Sequence, residues 1–447
     1  MDFLAVLGII LAVFSIIYFA LRGLNIAIAA PVAALIIILT NRMDIFPYLL
    51  GENHSFMAGL ATFIVENFAL FLLGAVLGGL MDKSKATVTI SDFVLRLTGT
   101  ENPYRVLLGI VFITAFLSYG GISSFIIVFT LFPMVRPIFK MLDINWELVY
   151  IPFYLGGCTF VGSMLPGSPA VKNYIPTRAL GTTLTAGADL GLLAFGVTLI
   201  FGLSYMAFAL RRSLKRGETF YSYLDKGGKE FDAADKEEDA KEVFKPSIWR
   251  AVTPILTLLA ILLIFRRVEY IILIGLSVSI LLASLLFNKY IPSQLDSLNR
   301  SAGNAIGSVF AIACSIGFGT VLIAAPAFSI LQKLIMSLPG SPLLSLAVLT
   351  SSLSGMMGTG IGPVGIVSNN FVQPYLEMGY HPEVLHRVIT IAAGLFSCMP
   401  HTGMVISTNY FSGLGYRNGF KHAFIIVNGS HFLALITVLS AAPLLYS

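Results

Sequence analysis

Along the chain, apolar residues fall into long runs divided by short patches of charge. This is the pattern of helices that cross a bilayer, where about 20 apolar residues span the hydrocarbon core. Phe3 to Leu21 and Gly23 to Asn41 are the first two runs, joined across Arg22. A third, Phe56 to Met81, ends at Asp82, Lys83 and Lys85, and Thr87 to Thr98 then has the pattern of an amphipathic helix on the membrane surface. Val106 to Val135 is uncharged for 30 residues, with Ser118, Tyr119, Gly120, Gly121, Ser123 and Ser124 at its centre. Half-length helices around that small-residue tip make a re-entrant hairpin; two very short crossings are the alternative.

The chain is organised around the next run. Leu148 to Val171 carries no charge and is long enough to cross, yet SMLPGSPAVKN, Ser163 to Asn173, interrupts it with two prolines, a glycine and two serines. A helix must break there at membrane depth, where backbone is tolerated outside a helix only if protein or a water-filled cavity receives its amides and carbonyls. A crossing from about Leu190 to Leu210 follows, then Arg211, Arg212, Lys215 and Arg216. Residues 211–247 are polar, mixed in charge and without an apolar period, which reads as a cytoplasmic linker.

After the linker the order repeats. Ala251 to Phe265 and Tyr270 to Asn288 are crossings, Ser301 to Gln332 holds a third and an amphipathic piece, and Leu334 to Leu376 is uncharged for 43 residues around GTGIGPVGIVSNN, Gly358 to Asn370. NWELVYIPFYLGGCTFVGSMLPG, from Asn145, lies over HPEVLHRVITIAAGLFSCMPHTG, from His381, with Glu147 on Glu383 and, after a gap, Pro166 on Pro400. The second break is SCMPHTGMVIS, Ser397 to Ser407, and a last crossing runs from about Ala423 to Leu445. The expected fold is an all-α polytopic membrane protein of two repeats, 1–210 and 248–447, with about 10 transmembrane helices, two re-entrant hairpins and two broken helices. An odd number of crossings in each half inverts one repeat relative to the other, and paired interrupted helices point to a transporter's midplane site. Arg22, Lys83, Lys85, Arg136, Lys140, the Arg211 cluster, Lys289, Arg417 and Lys421 fall on the cytoplasmic side, with both termini outside, whereas Arg42, Arg266 and Arg267 fall opposite.

Composition agrees with this class. The chain is 56% hydrophobic and 11% charged, with mean hydropathy +0.86, more apolar surface than folding alone can hide from water. The first run lacks a basic n-region and a clear cleavage site, so it reads as a retained span rather than a signal peptide. Cys158, Cys314 and Cys398 all lie in apolar windows and suggest neither disulfides nor a metal site. The net charge of +5 is spread over segment ends, not gathered in a patch for nucleic acid. No HExxH, GxSxG or intramembrane aspartate pair supports an embedded enzyme.

Helix N-termini and exposed amides offer partial positive charge to an anion, and small residues let it approach. The tips and breaks therefore nominate Ser123, Ser124, Gly167 and Ser168 from the first half, and Thr359, Gly360, Ser368, Asn369, Thr402 and Gly403 from the second; close helix packing is the competing use of such residues. Lys172, just past the first break, is the sharpest candidate for a substrate carboxylate, with Asn173 beside it, unless it snorkels to the interface. His401 could bind the ligand or carry a coupling proton, and Glu66 in the third run is a second proton candidate. His386 and Arg387 lie near a helix start and read as topological.

LGAVLGGLMDKSKATVTI, from Leu73, SMLPGSPAVKNYIPTRALGTT, from Ser163, and PEVLHRVITIAAGLFSCMPHTGMVI, from Pro382, resemble the gluconate:proton symporter (GntP) family of gluconate and β-hydroxybutyrate permeases, part of the ion transporter superfamily. The resemblance covers nearly the whole chain. It implies import of a small organic anion with a coupling cation, protons before sodium and no cofactor, across the inner (plasma) membrane. It further implies a homodimer whose hairpins and broken helices move as an elevator. SYGGISS, from Ser118, offers fewer extended polar groups than a polyhydroxylated substrate invites, which favours a smaller, less hydroxylated acid than gluconate. A passive anion channel is the alternative from another class.

Overall fold

Helices form where the apolar runs predict them, and polar side chains fix their starts: Asn25 Oδ1 accepts from Ala27 N at 3.0 Å, Ser55 Oγ from Ala58 N at 3.0 Å, and Ser293 Oγ from Asp296 N at 3.2 Å. The structure, a computed structural model, describes residues 2–86, 88–90, 93, 102–119, 124–168, 170–226, 245–265, 270–336 and 341–446. Gly120, Gly121, Ser123, Arg266, Arg267, most of 87–98 and residues 227–244 of the linker lie outside the described residues.

The first half runs α1 (Asp2–Leu21), α2 (Ile26–Thr40), α3 (Ile45–Leu50) and α4 (Phe56–Lys83), then a helical pair, α5 (Pro103–Tyr119) and α6 (Ser124–Met141). The first broken segment opens with a 3₁₀ turn, Trp146–Val149, and continues through α7 (Tyr150–Tyr154), a π turn at Leu155–Thr159 and α8 (Phe160–Ser163). It resumes as α9 (Val171–Leu180), and α10 (Ala188–Lys215) and a 3₁₀ piece, Phe220–Lys226, complete the half. The second half runs α11 (Ile248–Ile264), α12 (Ile271–Phe287), α13 (Gln294–Ala324) and α14 (Pro326–Met336), the pair α15 (Pro342–Met357) and α16 (Ile361–Asn370), α17 (Gln373–Glu377), the broken segment α18 (Pro382–Ala392) and α19 (Gly403–Ser412), and α20 (Phe420–Leu445). No strand occurs among the described residues.

Among the described residues four helices are long and apolar enough to cross a membrane singly, within α1, α10, α13 and α20, and α4 makes five if its 50° bend between Glu66 and Phe68 is one span. The other apolar helices are shorter, such as the 15 residues of α2 and the 16 of α15, about 23 Å at 1.5 Å per residue. The fold is polytopic and all-helical, and its membrane depth is built partly from such half-length pieces.

The two halves pack reciprocally. α4 lies along α13 and α10 along α20; α2 meets α13 as α12 meets α4; α9 meets α16 as α6 meets α19; and α7 meets α20 as α10 meets α18. Such exchange of equivalent partners is the mark of a two-fold relation. Glu147 and Glu383, matched in the sequence overlay, then stand at opposite ends of one helix. Glu147 pairs with Lys421 at the start of α20, at 3.0 Å, and with Lys226 at 2.8 Å; Glu383 accepts from the Tyr446 hydroxyl, just past its end, at 3.3 Å. α20 has 26 residues, so those ends are about 39 Å apart, and the two broken segments enter the bundle from opposite faces.

The Lys421 end is also where the linker begins. Glu218 accepts hydrogen bonds from Asn145 Nδ2 at 2.8 Å and Ser213 Oγ at 2.7 Å. Burial works to raise the Glu218 pKa, but these bonds, with Lys226 and Lys421, hold it below the usual carboxylate range. A carboxylate depressed in the folded state adds stability above its unfolded pKa, and that contribution is lost as pH falls through the folded value. The melting midpoint in detergent is therefore expected to fall more steeply below about pH 4 in the wild type than in Glu218→Gln; identical acid limbs would disprove the assignment.

Candidate functional site

Each broken helix frees a carbonyl that its own half satisfies. In the first, the π turn releases Gly157 O, which accepts from Ser124 Oγ at 2.8 Å; in the second, Ala393 O accepts from Ser354 Oγ at 2.8 Å. The overlay of Glu147 on Glu383 places Gly157 on Ala393, so both halves use the same device. The break carbonyls match too: Tyr119 Oη donates to Pro166 O at 3.0 Å and Tyr416 Oη to Pro400 O at 2.8 Å. Gly167 holds φ +77°, a left-handed turn, and its amide donates to Leu184 O at 3.0 Å.

The halves also fasten each other. Asn173 gives both amide hydrogens, to Ser168 O and Leu184 O at 2.9 Å each, and its Oδ1 accepts from His386 Nε2 at 3.0 Å. The reciprocal contact is Tyr150 Oη on Asn409 Oδ1, at 2.8 Å. Arg387 is wholly buried; its Nη1 donates to Ser163 O at 2.9 Å and its Nη2 to Ala186 O. His386 and Arg387 are thus interior clasps between the repeats, not topological charges as the sequence suggests. A charge so near a helix start reads as an interface anchor because the overlying loop, 181–187, is invisible in the spacing.

Lys172 points inward. A Cβ built on Gly162 would stand 3.8 Å from its Nζ, and one on Gly360 would stand 3.1 Å from its Cδ, so its stem runs between the first break and the tip of the second pair. Ser124 Oγ, bonded to Gly157 O, lies against the same broken segment. No hydrogen bond or ion pair engages the Lys172 ammonium among the described residues. At the adjoining tip, Gly358 (φ +65°) ends α15 against the His401 ring, Thr359 Oγ1 accepts from Ile361 N at 3.3 Å, and a Cβ on Gly360 would stand 2.5 Å from Ala393 O.

The remaining candidates sort by what they touch. His401 is buried beside Phe318, its nitrogens near the carbonyls of Gly355 and Met356 without a formed hydrogen bond. Thr402 caps α19 by accepting from Val405 N at 3.5 Å, and a Cβ on Gly403 would stand 2.7 Å from Ile312 Cγ2, so both serve local packing. Ser168 is buried against Asn173, and Ser368 is buried without a hydrogen-bond partner. Asn369 is exposed and bonds back to Gly365 O at 2.9 Å, and Glu66 lies on an exposed face of α4, away from the breaks. Ser123 is outside the described residues.

Besides Arg387, sequence reasoning passes over His431, midway along α20. Its Nε2 lies 3.3 Å from Ser163 Oγ, and its ring occupies the space a side chain on Gly394 would need. Gly394→Ala is therefore expected to displace His431 and lower the melting midpoint in detergent by several degrees, as a forced shift in a packed interior costs about 1–3 kcal/mol; an unchanged midpoint would contradict that packing.

No family model matches the chain. It is 28% identical over 475 aligned residues, covering 98% of this chain and 99% of the other, to the uncharacterized transporter YxjC of Bacillus subtilis (strain 168). With the polytopic fold, that full-length likeness supports a transporter role and points away from an enzyme. It reaches transporters generally and not the gluconate permeases in particular.

Proposed function

We propose that the protein imports a small organic monocarboxylate, such as 3-hydroxybutyrate or gluconate, across the inner membrane by proton symport. The observation that carries this reading is Lys172: an ammonium unpaired among the described residues, beside the break of one repeat and the glycine tip of the other. An intramembrane cation is costly unless a partner neutralises it, and a carboxylate is the complementary partner. Small residues at Gly162 and Gly360 leave that partner room to approach. The two repeats, entering from opposite faces, supply the inverted architecture on which alternating access depends, with the hairpins and broken segments moving against α4 and α13.

The test is uptake into proteoliposomes. With an inward proton gradient, labelled 3-hydroxybutyrate or gluconate is expected to accumulate above its outside concentration, and the accumulation to collapse when the gradient is dissipated. Accumulation that follows sodium instead would replace the coupling ion, and equilibration without accumulation would make the protein a passive path.

A further inference from the structure

We propose that His431 carries the coupling proton and that Lys172 links this proton to the substrate; the inference rests on the reading of Lys172 given above. His431 is fully buried, and its Nδ1 lies 2.7 Å from Val427 O, so Nδ1 bears a hydrogen. Its Nε2 faces Ser163 Oγ at 3.3 Å, and that hydroxyl also lies 3.0 Å from Thr159 O. A serine hydroxyl has a single hydrogen to give. When Nε2 is bare, Ser163 donates to it; when Nε2 is protonated, it donates to Ser163 Oγ, which turns its own hydrogen to Thr159 O. Both protonation states are hydrogen-bonded, although the ring has no access to water. His401, whose nitrogens form no hydrogen bond among the described residues, lacks that provision, and Glu66 is exposed on α4.

The charges around this pair supply the linkage. Lys172 Nζ lies beside Gly162 and His431 beside the next residue, Ser163. α18 contributes Arg387, bonded to Ser163 O, and His386, held by Asn173 and by Thr182 Oγ1 at 2.7 Å; α10 contributes the neutral Thr198, bonded to Ser430 O, and the π turn adjoins with Cys158. Among the described residues no carboxylate contacts His431; Asp189 and Glu383 act on Arg387. A further positive charge on His431 is therefore opposed while Lys172 has no anion beside it, and becomes favourable once a carboxylate neutralises the ammonium. Anion and proton then bind cooperatively, each raising the affinity for the other by the same factor. The site carries the same net charge empty and doubly loaded, so one carboxylate and one proton travel as a neutral pair.

The decisive measurement is proton uptake on binding, read with a pH dye in weakly buffered detergent solution near pH 7.5, with gluconate and 3-hydroxybutyrate added separately. About one proton taken up per carboxylate bound supports the proposal; binding without proton uptake overturns it and leaves carboxylate transport standing. Failure of both acids to bind would instead remove the substrate reading, and this inference with it. In proteoliposomes, His431→Gln is expected to equilibrate the substrate but to lose at least about tenfold in accumulation driven by a proton gradient; accumulation at the wild-type level overturns the proposal. Should that variant fail to fold, Ser163→Ala serves: it removes the hydroxyl that exchanges hydrogens, and proton uptake at the wild-type level would be equally fatal.

Discussion

Lys172→Ala is expected to reduce uptake of the carboxylate by about 10- to 100-fold, with the melting midpoint little changed. A hydrogen bond to a charged group contributes about 1.5–3 kcal/mol, and about 1.4 kcal/mol is a factor of ten in binding. The ammonium has no partner among the described residues, so its removal orphans none of them. This separates it from residues that hold the fold. Lys172→Arg keeps the charge but brings a larger, planar head against Gly162 and Gly360, and an intermediate loss is expected. Wild-type uptake by Lys172→Ala, measured in proteoliposomes at matched protein density, would take Lys172 out of the substrate path.

Arg387→Met is the opposite case, with its largest effect on stability. The guanidinium supplies donors to Ser163 O, at the end of α8, and to Ala186 O, in the loop leading to α10. Thr390 Oγ1 remains to serve Ser163 O, at 3.3 Å, but Ala186 O loses its donor. A buried acceptor left unsatisfied costs about 1–3 kcal/mol, partly offset because a desolvated cation has been removed. A net loss of about 2 kcal/mol is expected, visible as a lower melting midpoint in detergent and as earlier proteolysis around the first break. Arg387→Lys, which retains the charge but cannot reach both carbonyls at once, should fall between. A Met variant that melts with the wild type would show that the clasp contributes nothing to the fold.

The breaks are legible in the sequence because proline, glycine and serine inside a charge-free run contradict a continuous helix. The overlay of Glu147 on Glu383 is legible for the same reason, and the structure adds that Gly157 and Ala393, matched by it, accept the same kind of hydrogen bond. Lys172 is legible as a lone charge at depth. Arg387 and His431 are not. Arg387 follows a helix start by a few residues, where a cation ordinarily meets water, and only the fold lays the 181–187 loop over it. His431 shares an apolar helix with other polar residues, Asn428 and Ser430 among them, and its partner Ser163 is 268 positions away. Local spacing also misjudges Asn173, nominated for the substrate beside Lys172: adjacent helical residues point in different directions, and both its amide hydrogens are engaged by backbone. Crossing number is obscured because half-length helices and full spans are equally apolar.

The two faces of the bundle are fastened by unlike chemistry. Glu147 is tied by two ammonium groups, Lys226 and the half-exposed Lys421, whereas Glu383 is tied by a phenol and the Gly187 amide. Dissolved electrolyte weakens attraction to ions that reach water, as Lys226 and Lys421 do, and acts less on hydrogen bonds from uncharged donors. Raising potassium chloride from dilute to molar levels should thus loosen the lysine-tied face alone. An ionic medium becomes a selective key to one side of a molecule whose halves are otherwise copies.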